Sequence, residues 1–298
     1  MNFEILMTEQ WYVLYLAIVM IVSGYVKDLG LLIPLYKWIS ENVKSNRMVI
    51  FLLSFITGVL PIPGRVVISA GVLNTIAPED KEKRKIYGII DYLSTHHYYL
   101  WSPLEKSVII PIATLGLTYW GFINYMLPIL IIAFVVIFYF VFVILKEDDV
   151  QIDLKPIEIN RSINKNPLKY LNFYSLFFLF FVIAWANYIK IYTNEFYYYV
   201  EYFSNSFGLV SVIAFMTSLL LGSSSRFAAI TSICTGIFGI QYLPWFFAID
   251  YAGYMLSPTH KCFYIGKSYF DTDLKDYIKS ILILTISIIL VSMSMTFL

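Results

Sequence analysis

Four ionisable residues stand inside apolar stretches of the sequence: Arg65, Asp91, Arg226 and Asp250. An ionised side chain in hydrocarbon costs roughly 2.5–3.5 kcal/mol on insertion scales, so each needs a partner, a wet cavity or a bound ion. Arg65 and Arg226 each follow a helix-breaking stretch, Pro61-Ile62-Pro63-Gly64 and Gly222-Ser223-Ser224-Ser225. A half-helix that starts there points unpaired N–H groups and the positive end of its dipole at the tip, a setting that favours an anion. Two readings stay open for the arginines: they hold a substrate anion, or they pair with a fixed carboxylate such as Asp91 or Asp250 or snorkel to the interface. Pro63, Gly64, Ser223, Ser224 and Ser225 would line such a site, or would only permit close packing.

Asp91 begins a polar stripe, since Ser94, Thr95, Tyr98 and Ser102 follow it at helical spacing. Asp250 is followed in the same way by Gly253, Tyr254, Ser257 and Lys261. Carboxylates that take up a proton or a sodium ion inside a membrane are coupling groups of transporters. The alternative is a pair of helix-end residues that merely solvate the entry. His96, His97 and His260 are the only histidines, and all lie beside the breaks Ser102-Pro103 and Ser257-Pro258. His96 is read as a proton relay beside Asp91, and Thr259 and His260 as part of the solute site. No metal site is expected, because adjacent histidines on a helix point to different faces and no carboxylate stands at a ligand-like spacing. An enzyme is not expected either: it would need a histidine within hydrogen-bond reach of Asp91 or Asp250. Gly266-Lys267-Ser268 is no phosphate loop, because Lys261 stands where the leading glycine is required. The only cofactor anticipated is H⁺ or Na⁺ as a coupling ion.

These residues need elements to hold them, and composition says which. The chain has 298 residues, of which 59% are hydrophobic and 14% charged, more apolar surface than one soluble core of that length uses. Residues 107–145 contain no Asp, Glu, Lys or Arg, and neither do residues 280–298. About 20 apolar residues span a bilayer. The expected architecture is therefore an all-α integral membrane protein, multi-pass in the cell membrane. Residues 1–10 carry Glu4 and Glu9 but no Lys or Arg, so 11–26 reads as a retained first span and not as a signal. Cys234 and Cys262 fall in or beside apolar runs and imply no disulfide. The basic residues are dealt out between apolar runs, which excludes a nucleic-acid surface.

Pro, Gly and charge clusters divide the chain into a span (11–26), a re-entrant hairpin (48–76), a broken helix (86–119) and a span (121–145). After a polar linker the order returns: a span (170–189), a hairpin (209–238), a broken helix (241–268) and a span (280–298). Ile90-Asp91-Tyr92 recurs as Ile249-Asp250-Tyr251, each is followed by Ser-Pro, and Arg65 recurs as Arg226. This predicts two repeats, 1–145 and 170–298, joined by the linker 146–169. Three crossings per half make the repeats inverted. With both termini outside, the connectors 27–47, 77–85, 146–169 and 267–279 are cytoplasmic and hold 4, 4, 5 and 3 of the 21 Lys and Arg residues. The external connectors hold only Lys190, as the positive-inside rule requires.

At Leu60-Pro61-Ile62-Pro63-Gly64, at Asp91-Tyr92 with His96 and Pro103, and at Leu256-Ser257-Pro258-Thr259-His260-Lys261-Cys262 with Tyr269-Phe270, the chain resembles a prokaryotic membrane family known as DUF401. The resemblance covers residues 48–290, with departures from the family pattern at Asp91, Thr95 and Tyr99. That family is grouped with the ion transporter superfamily, which includes arsenite, sodium/proton, citrate and C4-dicarboxylate carriers. The resemblance implies a secondary active transporter that moves a small, anionic solute with H⁺ or Na⁺ by alternating access. Such carriers are often dimers, which implies a homodimer in the bilayer. The alternative is a non-transporting scaffold, regulatory or effector protein that keeps a carrier-like fold.

Overall fold

The computed structural model describes residues 3–59, 65–146, 166–191 and 206–297, and among them every regular element is helical. Pro63 and Gly64 of the first tip lie outside the described residues, as does most of the expected linker (147–165). The chain begins with α1 (Phe3–Asp28) and a short amphipathic α2 (Leu32–Asn42), which buries Leu32, Tyr36 and Ile39 on one face. The arms α3 (Asn46–Val59) and α4 (Arg65–Ile76) flank the first tip. Asp80 caps α5 (Lys81–His96) by accepting the Lys83 N–H at 3.0 Å, and α5 runs into a 3₁₀ turn, His97–Leu100. The chain breaks at Ser102-Pro103 and resumes as α6 (Lys106–Leu115). Next come α7 (Tyr119–Tyr139), extended by a π-helical turn to Ile144, and α8 (Phe173–Ile191).

The second pair of arms is α9 (Phe207–Leu221) and α10 (Ser224–Phe238). Gly222 ends α9 at φ 51°, a left-handed conformation that only a residue without Cβ takes freely. A second broken helix follows as α11 (Leu243–Leu256) and α12 (Lys261–Phe270), then α13 (Leu274–Phe297). Ser257, the residue before Pro258, is extended at φ −61° and ψ 126°, as a following proline requires. The order of arm, arm, broken helix and long helix thus occurs twice, as α3–α7 and α9–α13.

Packing positions the polar residues. α3 and α4 lie on α5, and α9 and α10 lie on α11. The backbones nearly touch there: a Cβ on Gly58 would sit 2.8 Å from Thr95 Cα, and one on Gly253 2.4 Å from the Phe215 carbonyl oxygen. The two halves then exchange partners, with α6 on α10, α12 on α4 and α5, α7 on α13, and α1 on α8. The largest buried cluster accordingly draws side chains from both halves.

The buried side chains are mostly apolar but include acidic groups and histidines, and large apolar side chains also cover the outside. Asp91, Glu105, Asp250 and all three histidines are buried, while α7 exposes Leu127, Ile131 and Val135, α9 exposes Leu209, Val212 and Ile213, and α13 exposes Ile283, Ile286 and Leu290. Tyr119–Ile144 and Leu274–Phe297 are, by length and composition, long and apolar enough to cross a membrane.

Candidate functional site

Each aspartate sits in the fork of its own hairpin. Asp91, on α5, accepts a hydrogen bond from Ser54 of α3 at 2.9 Å and another from Ser69 of α4. Asp250, on α11, accepts from Ser218 of α9 at 3.0 Å and from Thr231 of α10 at 2.7 Å. Both carboxyls are almost wholly buried, 2% and 0% exposed. Among the described residues, no lysine or arginine pairs with either. The arrangement is one hydroxyl from each arm on one carboxyl, made twice with different sequence. The helices must approach closely for short hydroxyl side chains to reach, and Gly58 and Gly253 allow it.

The first residues of α4 and α10 are joined through a residue after the first break. Arg65, first in α4, lies 3.7 Å from the Glu105 carboxylate, and the other Glu105 oxygen accepts from Ser224 of α10 at 3.2 Å. Arg65 also donates to the Tyr99 hydroxyl at 2.9 Å and stacks on the Tyr98 ring at 3.5 Å. Tyr254 of α11 donates to the same Tyr99 hydroxyl at 2.7 Å, so both broken helices belong to this network. Arg65 is thus paired with a carboxylate, but with Glu105 and not with Asp91 or Asp250. This leaves its charge balanced inside the protein.

Arg226 is placed differently. Together with Lys106, Tyr174, Phe178 and the three serines Ser223, Ser224 and Ser225, it lines a cavity of about 100 Å³. No carboxylate among the described residues forms an ion pair with Arg226. Ser223 is the N-cap of α10 but makes no side-chain cap; its carbonyl takes the Arg226 and Phe227 N–H groups at 3.1 Å, which leaves those of Ser224 and Ser225 as the first-turn donors. Two cationic side chains, serine hydroxyls and a helix N-terminus on one cavity form a set suited to a small oxyanion.

The second break closes on this tip. A Cβ on Gly222 would lie 2.2 Å from the Thr259 Oγ1 and 2.7 Å from the Ser257 Oγ, so these hydroxyls lie against the tip backbone. The Ser257 and Thr259 hydroxyls are hydrogen-bonded to each other at 2.9 Å. At the first break, Ser102 is buried and its hydroxyl accepts the Leu104 N–H at 3.3 Å, a local turn bond.

The histidines separate. His96 Nε2 and His260 Nε2 are 3.1 Å apart, joining the end of α5 to the start of α12. His97 turns the other way, stacking on Phe55 at 4.1 Å and accepting the Trp101 indole N–H at 2.8 Å. Among the described hydrogen bonds no histidine meets Asp91 or Asp250.

Of the residues singled out in the sequence, Ser223, Ser224, Ser225 and Arg226 share one cavity. Arg65 reaches Ser224 through Glu105, Ser257 and Thr259 abut Gly222, and His96 meets His260. Asp91 and Asp250 stand apart from the arginines, each in its own fork. Glu105, Tyr99, Lys106, Ser54, Ser69, Ser218 and Thr231 were not among those expectations. Glu105 had a visible signal, being the only acidic residue between Asp91 and Glu147.

A family model described as a protein of unknown function, DUF401, matches the chain over residues 3–207 and 207–298. No curated protein and no solved structure matches the chain.

Proposed function

We propose that this chain, which belongs to the DUF401 family of proteins of unknown function, is a multi-pass membrane carrier for a small anionic solute, coupled to H⁺ or Na⁺ by alternating access. The observation that carries the reading is the meeting of the α4 and α10 N-termini with both helix breaks beside the Ser223–Arg226 cavity. Arg65 and Ser224 both engage Glu105 beside the first break, and Gly222 sits on Ser257 and Thr259 of the second. Discontinuous helices that converge on one polar cavity are a recurrent solution for solute binding within a bilayer. Arg226, Lys106 and the α10 N-terminus hold the anion. The uncompensated carboxyls Asp91 and Asp250 take up the coupling ion.

Several relationships support the membrane topology. Lysine- and arginine-rich connectors, which the positive-inside rule assigns to the cytoplasm, meet in pairs. Lys169 and Tyr170 bond Asp28 at 2.5 and 2.6 Å, and Arg47 donates to the Phe142 carbonyl at 2.9 Å, tying residues 27–47 to the end of the linker and to the end of the span that precedes it. Lys81 pairs with Asp271 at 3.0 Å and Arg84 donates to the Tyr269 carbonyl at 3.0 Å, tying 77–85 to 267–279. The matching forks around Asp91 and Asp250 support two inverted repeats, 1–145 and 170–298. The outward apolar faces of α7, α9 and α13 suit lipid.

The direct test is uptake by proteoliposomes of a panel of small oxyanions and carboxylates under imposed sodium and proton gradients. Thermal stability in detergent gives an independent screen, since a ligand at 100 times its Kd stabilises by about 2.7 kcal/mol when it binds only the folded state. Transport of one anion driven by one gradient supports the reading. A folded protein that neither binds nor moves any of them is a non-transporting scaffold instead.

A further inference from the structure

We infer that His96, His260 and Cys262 form a binding site for one thiophilic d-block ion of the zinc(II) class. It joins the two broken helices and shares no lining residue with the Arg226 cavity. The argument begins with protons. His96 Nδ1 is 2.6 Å from the Tyr92 carbonyl, and His260 Nδ1 is 3.2 Å from the Tyr254 carbonyl. A carbonyl only accepts, and the hydroxyls that also approach, Thr95 at 3.1 Å from His96 Nδ1 and Tyr92 at 3.3 Å from His260 Nδ1, donate to the Asp91 and Met255 carbonyls instead, so each Nδ1 carries the ring proton and each Nε2 presents a lone pair. Those two Nε2 atoms face each other at 3.1 Å. Two lone pairs at that distance repel unless a cation lies between them.

The orientation is the one metal-bound histidines adopt, with the far ring nitrogen fixed by a backbone carbonyl and the near one free to ligate. Zinc–nitrogen bonds of about 2.0–2.1 Å at a tetrahedral angle put two donor nitrogens about 3.3 Å apart, close to the separation present. A third donor stands beside them: the Cys262 Sγ lies within 4.8 Å of a ring nitrogen of each histidine. A zinc–sulfur bond of about 2.3 Å sets sulfur about 3.6 Å from each nitrogen, so the Cys262 side chain closes by roughly 1 Å on binding. Cys262 is the second residue of α12, and its Sγ gives up its proton when it ligates. Three protein donors leave one position for water, and the pairing of two imidazoles with a thiolate selects zinc-like ions over magnesium, calcium or sodium.

The test uses the full-length protein in detergent, stripped of metal with a chelator and titrated with cobalt(II) as an optical substitute for zinc. One cobalt per chain is expected, with visible d–d bands of a tetrahedral ion and a near-ultraviolet thiolate-to-cobalt band. Cys262→Ser removes the near-ultraviolet band. His96→Gln and His260→Gln each weaken binding by at least tenfold, and His97→Gln changes nothing. Melting in chelator checks that each variant is folded; if a histidine variant is not, Cys262→Ser and Cys262→Ala decide by the band alone. Absence of both bands in the wild type, or a band that survives Cys262→Ser, overturns the site. No solute enters the assay, so its outcome is separate from that of the transport reading.

Discussion

The guanidinium of Arg65 and the carboxylate of Glu105 lie 3.7 Å apart with side chains only 14% and 7% exposed, one following the first hairpin tip and the other the first helix break. Breaking a buried ion pair by removing one partner typically costs 3–5 kcal/mol, because the remaining charge is left uncompensated. Glu105→Ala is therefore expected to lower stability by about 3 kcal/mol. Arg65→Ala combined with Glu105→Ala should cost clearly less than the sum of the single changes. Equilibrium unfolding in detergent measures the cycle, and strict additivity would show that the two side chains do not act as a pair.

Arg226 is half-buried on a cavity, and no carboxylate among the described residues forms an ion pair with it. Arg226→Ala should leave stability within about 0.5 kcal/mol of wild type, as for a substitution that breaks no internal contact. The same variant should lose all anion-induced stabilisation and all uptake. Wild-type rates in a folded Arg226→Ala protein would remove the residue from the solute site.

Among the described residues Asp91 and Asp250 receive hydroxyl donors and no cation; both donors of Asp91 share one oxygen, which an amide keeps, while at Asp250 one of the two hydroxyls must turn to accept from the new NH₂. Asp91→Asn and Asp250→Asn are expected to change stability by less than about 1 kcal/mol. Their effect belongs in the ion dependence of solute binding, which should flatten with sodium or pH in at least one of the two. A loss of several kcal/mol in the Asn variants would instead mean that an ionised carboxylate holds the fork together.

Outside the apolar segments, the hydrogen bond and charge of Lys81 hold the Asp271 carboxyl below its ordinary pKa. A carboxyl whose pKa falls on folding adds stability above the unfolded value of about 3.9 and loses it as pH drops through the lower folded value. Wild type should thus melt above Asp271→Asn near neutral pH, with the gap closing below about pH 4. Asparagine is the control of choice because residue 271 sits at φ 54°, which Asn tolerates. A gap that is constant from pH 7 to pH 3 would assign the difference to packing.

Gly253 faces the backbone of α9, where an added Cβ would stand 2.4 Å from the Phe215 carbonyl oxygen. Backbone cannot swing aside as a flexible side chain can, so Gly253→Ala should cost about 1–3 kcal/mol. The substitution also pushes Asp250 away from Ser218, and loss of coupling should accompany the loss of stability. A neutral Gly253→Ala would mean that α9 and α11 are not in backbone contact.

Much of this arrangement was readable from residue order, because proline, glycine and buried charge are local signals. Gly222 and Ser257-Pro258 end helices wherever they occur, and the breaks stand where those residues stand. What local signals cannot report is the partner. Glu105 reads as one acid near an apolar run until the fold brings Arg65 from 40 positions away. Ser54, Ser69, Ser218 and Thr231 are ordinary hydroxyls in apolar helices, and only the crossing of arm and broken helix makes them donors to Asp91 and Asp250. His96 and His260 escaped spacing rules for the same reason: their separation, |i−j| of 164, exceeds the span of any ligand motif.

The exchange of partners between halves also imposes an order in time. Arg84 of α5 donates to the Tyr269 carbonyl at the end of α12, 185 residues later in the chain. At roughly 5–20 residues per second, a ribosome needs on the order of 10–40 s to deliver that acceptor after α5 has emerged. For that interval α4 and α5 wait with an uncovered polar flank, which a prematurely terminated chain would keep for good. A nascent first half is therefore a client for whatever machinery shelters unpaired helices, until translation supplies its other side.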